Sequence, residues 1–116
     1  MSRMDKVNEE IRHQIGMILQ RDIHDSRIGF VTITHVDTAP DLRTCKVYFT
    51  TLDEGDAYEE TIAGLNISST NIRRELGKRI RIKYTPKIEF IHDVKHSESS
   101  RIDQIIDIIH KDKENK

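Results

Sequence analysis

The chain is poor in several residue types on which special chemistry is built. In 116 residues it has one cysteine, no tryptophan, two prolines, three phenylalanines and three tyrosines. A single cysteine, Cys45, excludes an intramolecular disulfide and a zinc site made of several thiolates. No apolar run approaches the ~20 residues of a membrane-spanning helix. The opening Met1-Ser2-Arg3-Met4-Asp5-Lys6 has no signal-peptide apolar stretch, so a cytoplasmic protein without membrane contact is expected. No glycine-rich phosphate loop precedes Lys-Ser or Lys-Thr, and no Gly-x-Ser-x-Gly elbow occurs. The six histidines, at 13, 24, 35, 92, 96 and 110, are scattered without carboxylates at zinc-site spacing. No catalytic residue, metal ligand or cofactor is assigned. Three tyrosines (Tyr48, Tyr58 and Tyr84) are too few for an extended stacking platform.

What the chain has is charge. Charged residues are 34% of it against 35% hydrophobic, so the core is lean and a large substrate cavity is not expected. The length suits one domain. Nineteen Lys and Arg against twenty Asp and Glu give a formal charge of −1, which argues against polyanion binding over the whole surface. Screening confines a field to about 10 Å at physiological salt, so local grouping matters more than the sum.

Met4, Val7, Ile11, Ile15, Ile18 and Leu19 recur at steps of three and four, which predicts a helix over 3–22. Two β-rich runs follow, Phe30–Val36 and Arg43–Thr51, separated by the turn signal Ala39-Pro40-Asp41, and predict an antiparallel hairpin. Alternation in the second run puts Cys45, Val47 and Phe49 on one face and Lys46, Tyr48 and Thr50 on the other. In that setting Cys45 is a small buried hydrophobe rather than a nucleophile. Asp53-Glu54-Gly55-Asp56 starts a helix with the stripe Tyr58, Ile62 and Leu65. Ser68-Ser69-Thr70-Asn71 all favour caps over helix interiors, which predicts a break or sharp kink. A further helix then carries Ile72, Leu76 and Ile80 and is stopped by Thr85-Pro86. Lys87–Asp93 predicts a third strand. Ile102, Ile105, Ile106 and Ile109 predict a C-terminal helix over about 100–111, and 112–116 a frayed tail. The expected order is α-β-β-α-α-β-α: an α+β two-layer domain, core about 3–93, with helices packed on a three-stranded sheet. That order resembles the αββααβ arrangement of type II KH domains.

The strongest local signal is basic: Arg73, Arg74, Lys78, Arg79, Arg81, Lys83 and Lys87, interrupted by one acid, Glu75. At about 100° per residue, Arg74, Lys78 and Arg81 fall opposite Ile72, Leu76 and Ile80. Cations grouped this way repel one another and fit a polyanionic partner, although a solvated face balanced by neighbouring acids has the same spacing. A KH domain clamps nucleotides with a Gly-x-x-Gly loop, which is absent here, so RNA contact is expected through the basic stretch.

Several stretches together, Val7–Ile11, Ile18–Ile23, Asp25–Gly29, Asp41–Tyr48, Ile72–Ile82 and Pro86–Phe90, resemble bacterial ribosome-binding factor A in order and spacing. The resemblance spans roughly residues 3–110. It implies a KH-like type II fold and a non-enzymatic assembly factor. Such a factor binds the free small ribosomal subunit, assists late processing of its ribosomal RNA near the 5′ end, and serves cold adaptation. A monomer is expected, and other assembly factors are candidate further partners. The family's Ala-x-Gly interhelical kink falls on Ser68, Ser69 and Thr70, which depart from it at both defining positions. The family's basic surface falls on Arg73, Arg74, Lys78 and Arg81. The reading of another class is a protein-interaction module docking through the isoleucine stripe 102–109.

Overall fold

A computed structural model describes residues 2–94 of the chain. The expected C-terminal helix and tail lie outside the described residues. Five elements are present among those described: α1 (Arg3–Arg21), β1 (Val31–Thr38), β2 (Thr44–Thr51), α2 (Asp56–Arg79) and β3 (Lys87–His92).

α1 begins in a capping box that the Ser-x-x-Asp spacing encodes. Ser2 Oγ accepts from the Asp5 amide and Asp5 Oδ2 accepts from the Ser2 amide, each at 3.0 Å. Those bonds hold the Asp5 carboxyl below its ordinary pKa. The helix buries Ile11, Ile15 and Ile18 completely. These side chains lie on the inner face of a sheet ordered β1-β2-β3, in which β1 and β2 are antiparallel and β2 and β3 parallel. The register pairs Ile33 with Phe49, Val47 with Phe90 and Cys45 with Ile88, so one face of all three strands is apolar. A bulge at Thr34 restores that alternation between Ile33 and Val36. Thr34 donates its hydroxyl to Asp93 Oδ2 at 2.7 Å and so ties β1 to the end of β3. Cys45 is 1% exposed, and burial pushes its thiol up to about 11, consistent with a packing role.

α2 corrects the expectation at Ser68-Ser69-Thr70. No break separates two helices: one helix runs from Asp56 to Arg79. The capping preference is overridden by burial. Ser68 is 6% exposed inside the packed face, and Ser69 Oγ donates at 2.8 Å to the Asn66 carbonyl one turn back, a bond that a mid-helix serine can make without ending the helix. The stripe is continuous through this region, with Leu65, Ile72 and Leu76 all fully buried. At its start Gly55 adopts φ +59, a left-handed conformation that suits glycine. Gly64 lets the 25–29 loop approach closely, since a Cβ there would lie 2.7 Å from Ile28 Cγ1. The helix also ends earlier than Thr85-Pro86 suggests. Ile80 is already extended, with φ −120 and ψ 131, and only its amide still donates back, to Leu76. Ile80 and Arg81 therefore lie past the helix rather than on opposite sides of it. The observed order is α-β-β-α-β over residues 2–94, with helices packed on a small mixed sheet.

Candidate nucleic-acid interface

The last two turns of α2, the connecting segment 80–86 and the start of β3 carry all seven cations singled out by sequence. Each of these residues is exposed. Ile72 and Leu76 are fully buried, so Arg74 and Lys78 on the other side of the helix face solvent without touching the core. The C-terminal end of a helix carries partial negative charge, which accounts for part of the preference for Lys78 and Arg79 there. It does not account for Arg81, Lys83 and Lys87, which follow the helix.

The seven differ in how they are engaged. Arg73 donates Nε to the Thr85 carbonyl at 3.1 Å and fastens the connecting segment back onto α2. Arg79 pairs with Asp22, the residue that caps the C-terminus of α1, and so links the two helices. Both therefore have a structural role. Arg74 reaches Asn71 one turn back, and Lys78 pairs with Glu75 at 3.1 Å while its side chain stays 66% exposed. Such surface pairs stabilise by at most about 1 kcal/mol and are easily exchanged for a phosphate. Arg81 and Lys87 make no ion pair among the described residues.

Register adds a cation that the linear reading missed. The Lys87 amide donates to the Arg43 carbonyl at 2.8 Å, which sets Arg43, from the β1–β2 loop, beside the start of β3. Its guanidinium lies 5.6 Å from the centroid of the Tyr84 ring, and Lys83 Nζ lies 5.5 Å from the same centroid. The loop that presents Arg43 turns through Leu42, which holds φ 63 and donates its amide to the Ala39 carbonyl at 2.8 Å. Arg3, at the start of α1, lines one groove with Arg81 and Lys83. No signal along the sequence joins Arg3 or Arg43 to residues 73–87; only the fold brings them together.

The arrangement can bind anions. Among the described residues no three His, Cys, Asp or Glu side chains are grouped to hold a metal ion, and no helix is long and apolar enough to cross a membrane. The expected kink residues Ser68, Ser69 and Thr70 sit within α2, one to two turns before the basic group, and of the three only Thr70 is exposed.

The family model of ribosome-binding factor A matches residues 3–106. Ribosome-binding factor A of Syntrophus aciditrophicus is 39% identical over 113 residues, covering 97% of this chain and 92% of its own length. The crystal structure of ribosome-binding factor A from Thermus thermophilus is similar with a TM-score of 0.70 at 19% identity, over 78% of this chain and 97% of that one. A homology model of the Thermus thermophilus factor, fitted into a cryo-electron-microscopy map of a 30S complex with that factor, is similar with a TM-score of 0.61 at 20% identity. That match covers 72% of this chain and 88% of the other. The structural matches bear on the fold, and the sequence matches run nearly end to end. On that ground the chain belongs to the ribosome-binding factor A family.

Proposed function

We propose that this protein is a cytoplasmic, non-enzymatic assembly factor that binds the free small ribosomal subunit as a monomer and assists late processing of its ribosomal RNA, with particular importance in the cold. The exposed cations from Arg74 to Lys87, with Arg43 beside them, dock on RNA phosphates. The bound protein stabilises one conformation of the maturing RNA and disfavours others, which requires neither a nucleotide nor a metal. The observation that carries this reading is the concentration of seven of the chain's nineteen Lys and Arg within residues 73–87, all exposed, in a chain of near-zero net charge. Family membership supplies the ribosomal partner.

The test is sedimentation of a cell lysate through sucrose gradients at low and high salt. The protein should travel with free small subunits and be absent from translating ribosomes. Its association should weaken as salt rises, because each neutralised phosphate releases counterions. Sedimentation with soluble protein at every salt concentration would overturn the proposal.

A further inference from the structure

One aromatic ring in the basic region stands exposed at the surface. Tyr84 is 45% exposed, although tyrosine usually buries its ring body. It sits in the 80–86 segment between two flexible cations, Arg43 and Lys83, each over its ring. It also lines an open groove of about 550 Å³ with Arg73, Arg74 and Thr85. The groove thus joins a half-exposed ring, covered only by long exposed cationic side chains, to further cations on its flanks. Duplex RNA offers phosphates but no accessible base faces. An unpaired nucleotide offers both.

We propose that Tyr84 is a nucleobase-stacking subsite, so that the basic surface takes a single-stranded stretch of RNA with one base on the Tyr84 ring. This deepens the phosphate-docking reading and rests on it. The base lies on the ring while Arg74 and Lys83 face the flanking phosphates. The Arg43 side chain is 73% exposed, and its weak contact with the ring yields to the incoming base or covers that base from the far side. Tyr84 does not form an extended platform; a single ring accepts a single base. Because stacking uses the π-face, the subsite is tolerant of base identity.

The experiment measures binding of the whole protein to a ten-nucleotide single-stranded RNA, to a blunt duplex of the same sequence, and to a fully abasic strand of the same length. Wild-type protein should bind the single strand about tenfold more tightly than the abasic strand. Tyr84→Ala should remove that advantage and bind both strands alike, and Tyr84→Phe, which keeps the π-face, should retain it. Neither change should alter the salt slope, since no phosphate contact is removed. Equal binding of the abasic and natural strands by wild type, or an unchanged advantage in Tyr84→Ala, would overturn the subsite. The combined change Arg74→Glu, Lys78→Glu, Arg81→Glu separates the two levels. If it weakens all three ligands while Tyr84→Ala changes none, phosphate docking stands and the stacking subsite fails. If it weakens none, phosphate docking itself fails.

Discussion

The combined substitution Arg74→Glu, Lys78→Glu, Arg81→Glu is the most direct probe of the RNA-docking face, and the structure sets its expected size. All three side chains are exposed, and none is packed in the core formed by Ile72, Leu76 and their neighbours. Among the described residues, two minor interactions would break: the Lys78–Glu75 pair and the local bond from Arg74 to Asn71. Removing an exposed i,i+3 pair costs about 0.3–0.5 kcal/mol. Placing acid in the last turn of α2 adds about 0.3–1 kcal/mol through the helix dipole. The fold should survive, with an unchanged circular dichroism spectrum and a melting temperature lower by several degrees. Binding should respond far more strongly. Removing three phosphate contacts should reduce the slope of log affinity against log salt by about 2–3. Because each contact also becomes a repulsion, small-subunit affinity at physiological salt should fall by much more than tenfold. Arg73 and Arg79 are left alone because the Thr85 carbonyl and Asp22 hold them in structural roles. Lys6→Glu, Arg12→Glu, Lys46→Glu is the matched control, with the same charge change placed on α1 and β2. Equal weakening by the two triples would mean that net charge, not this face, governs binding. Wild-type binding by the first triple would refute the docking assignment.

Phe49→Ala empties the centre of the core, where the ring is fully buried and meets Phe90 edge-on at 6.3 Å. It should cost about 3–5 kcal/mol in urea denaturation, a large share of the ~5–15 kcal/mol that holds a domain. Thr38 Oγ1 is buried with no hydrogen-bond partner among the described residues, so Thr38→Val should raise stability by about 1 kcal/mol, visible as a higher melting temperature. Asp25 accepts from the Arg27 side chain and amide, which hold its carboxyl at about 2 against an ordinary 3.8. A lowered folded-state value contributes stability above pH 3.8 that disappears as pH falls through 2. The melting-temperature gap between wild type and Asp25→Asn should therefore be present at pH 6, much reduced at pH 2 and smallest below it. Truncation before Glu98 tests whether the isoleucine stripe 102–109 packs on its own domain: a lower melting temperature supports that, and an unchanged curve refutes it.

Where periodicity and burial point the same way, the sequence was enough. The spacing of Ile11, Ile15 and Ile18 marks the buried side of α1, and the alternation of Cys45, Val47 and Phe49 marks the inner face of β2; all six are at most 1% exposed. Local propensity misled where tertiary packing opposed it. Ser68-Ser69-Thr70-Asn71 prefers caps, yet the stripe from Leu65 to Ile72 stays in register only if the helix continues, and burial of Leu65, Ile72 and Leu76 outweighs four weak capping preferences. At Ile80 the error ran the other way. The apolar spacing extends the helical pattern by one more residue, but the β-branched Ile80 is already extended, and Arg81 and Ile82 lie past the helix. The positions of Arg43 and Tyr84 could not be read from the sequence. Their proximity depends on the parallel pairing of β2 with β3, which sets Thr44 opposite Lys87.

α2 presents its cations from an element anchored along its length and at its far end. The helix is continuous from Asp56 to Arg79, and its inner side is fixed in the core by Leu65, Ile72 and Leu76. Its far end is held from two sides, by Arg79 on Asp22 at the end of α1 and by Arg73 on the Thr85 carbonyl. Arg74 and Lys78 are thus displayed from a backbone that cannot shift without disturbing the core. An interface that is ordered before binding loses less conformational entropy when it docks than one that must first fold. Breaking the far-end anchor while keeping the outward cations separates this contribution from charge. Asp22→Asn leaves every cation in place and adds one unit of positive charge to the molecule, so electrostatics alone predicts unchanged or tighter RNA binding. If the Arg79–Asp22 anchor pre-orders the surface, binding should instead weaken by several-fold, with an unchanged salt slope and faster amide exchange in the last turns of α2. Tighter binding with unchanged exchange would show that charge alone, and not a fixed helix end, sets the affinity.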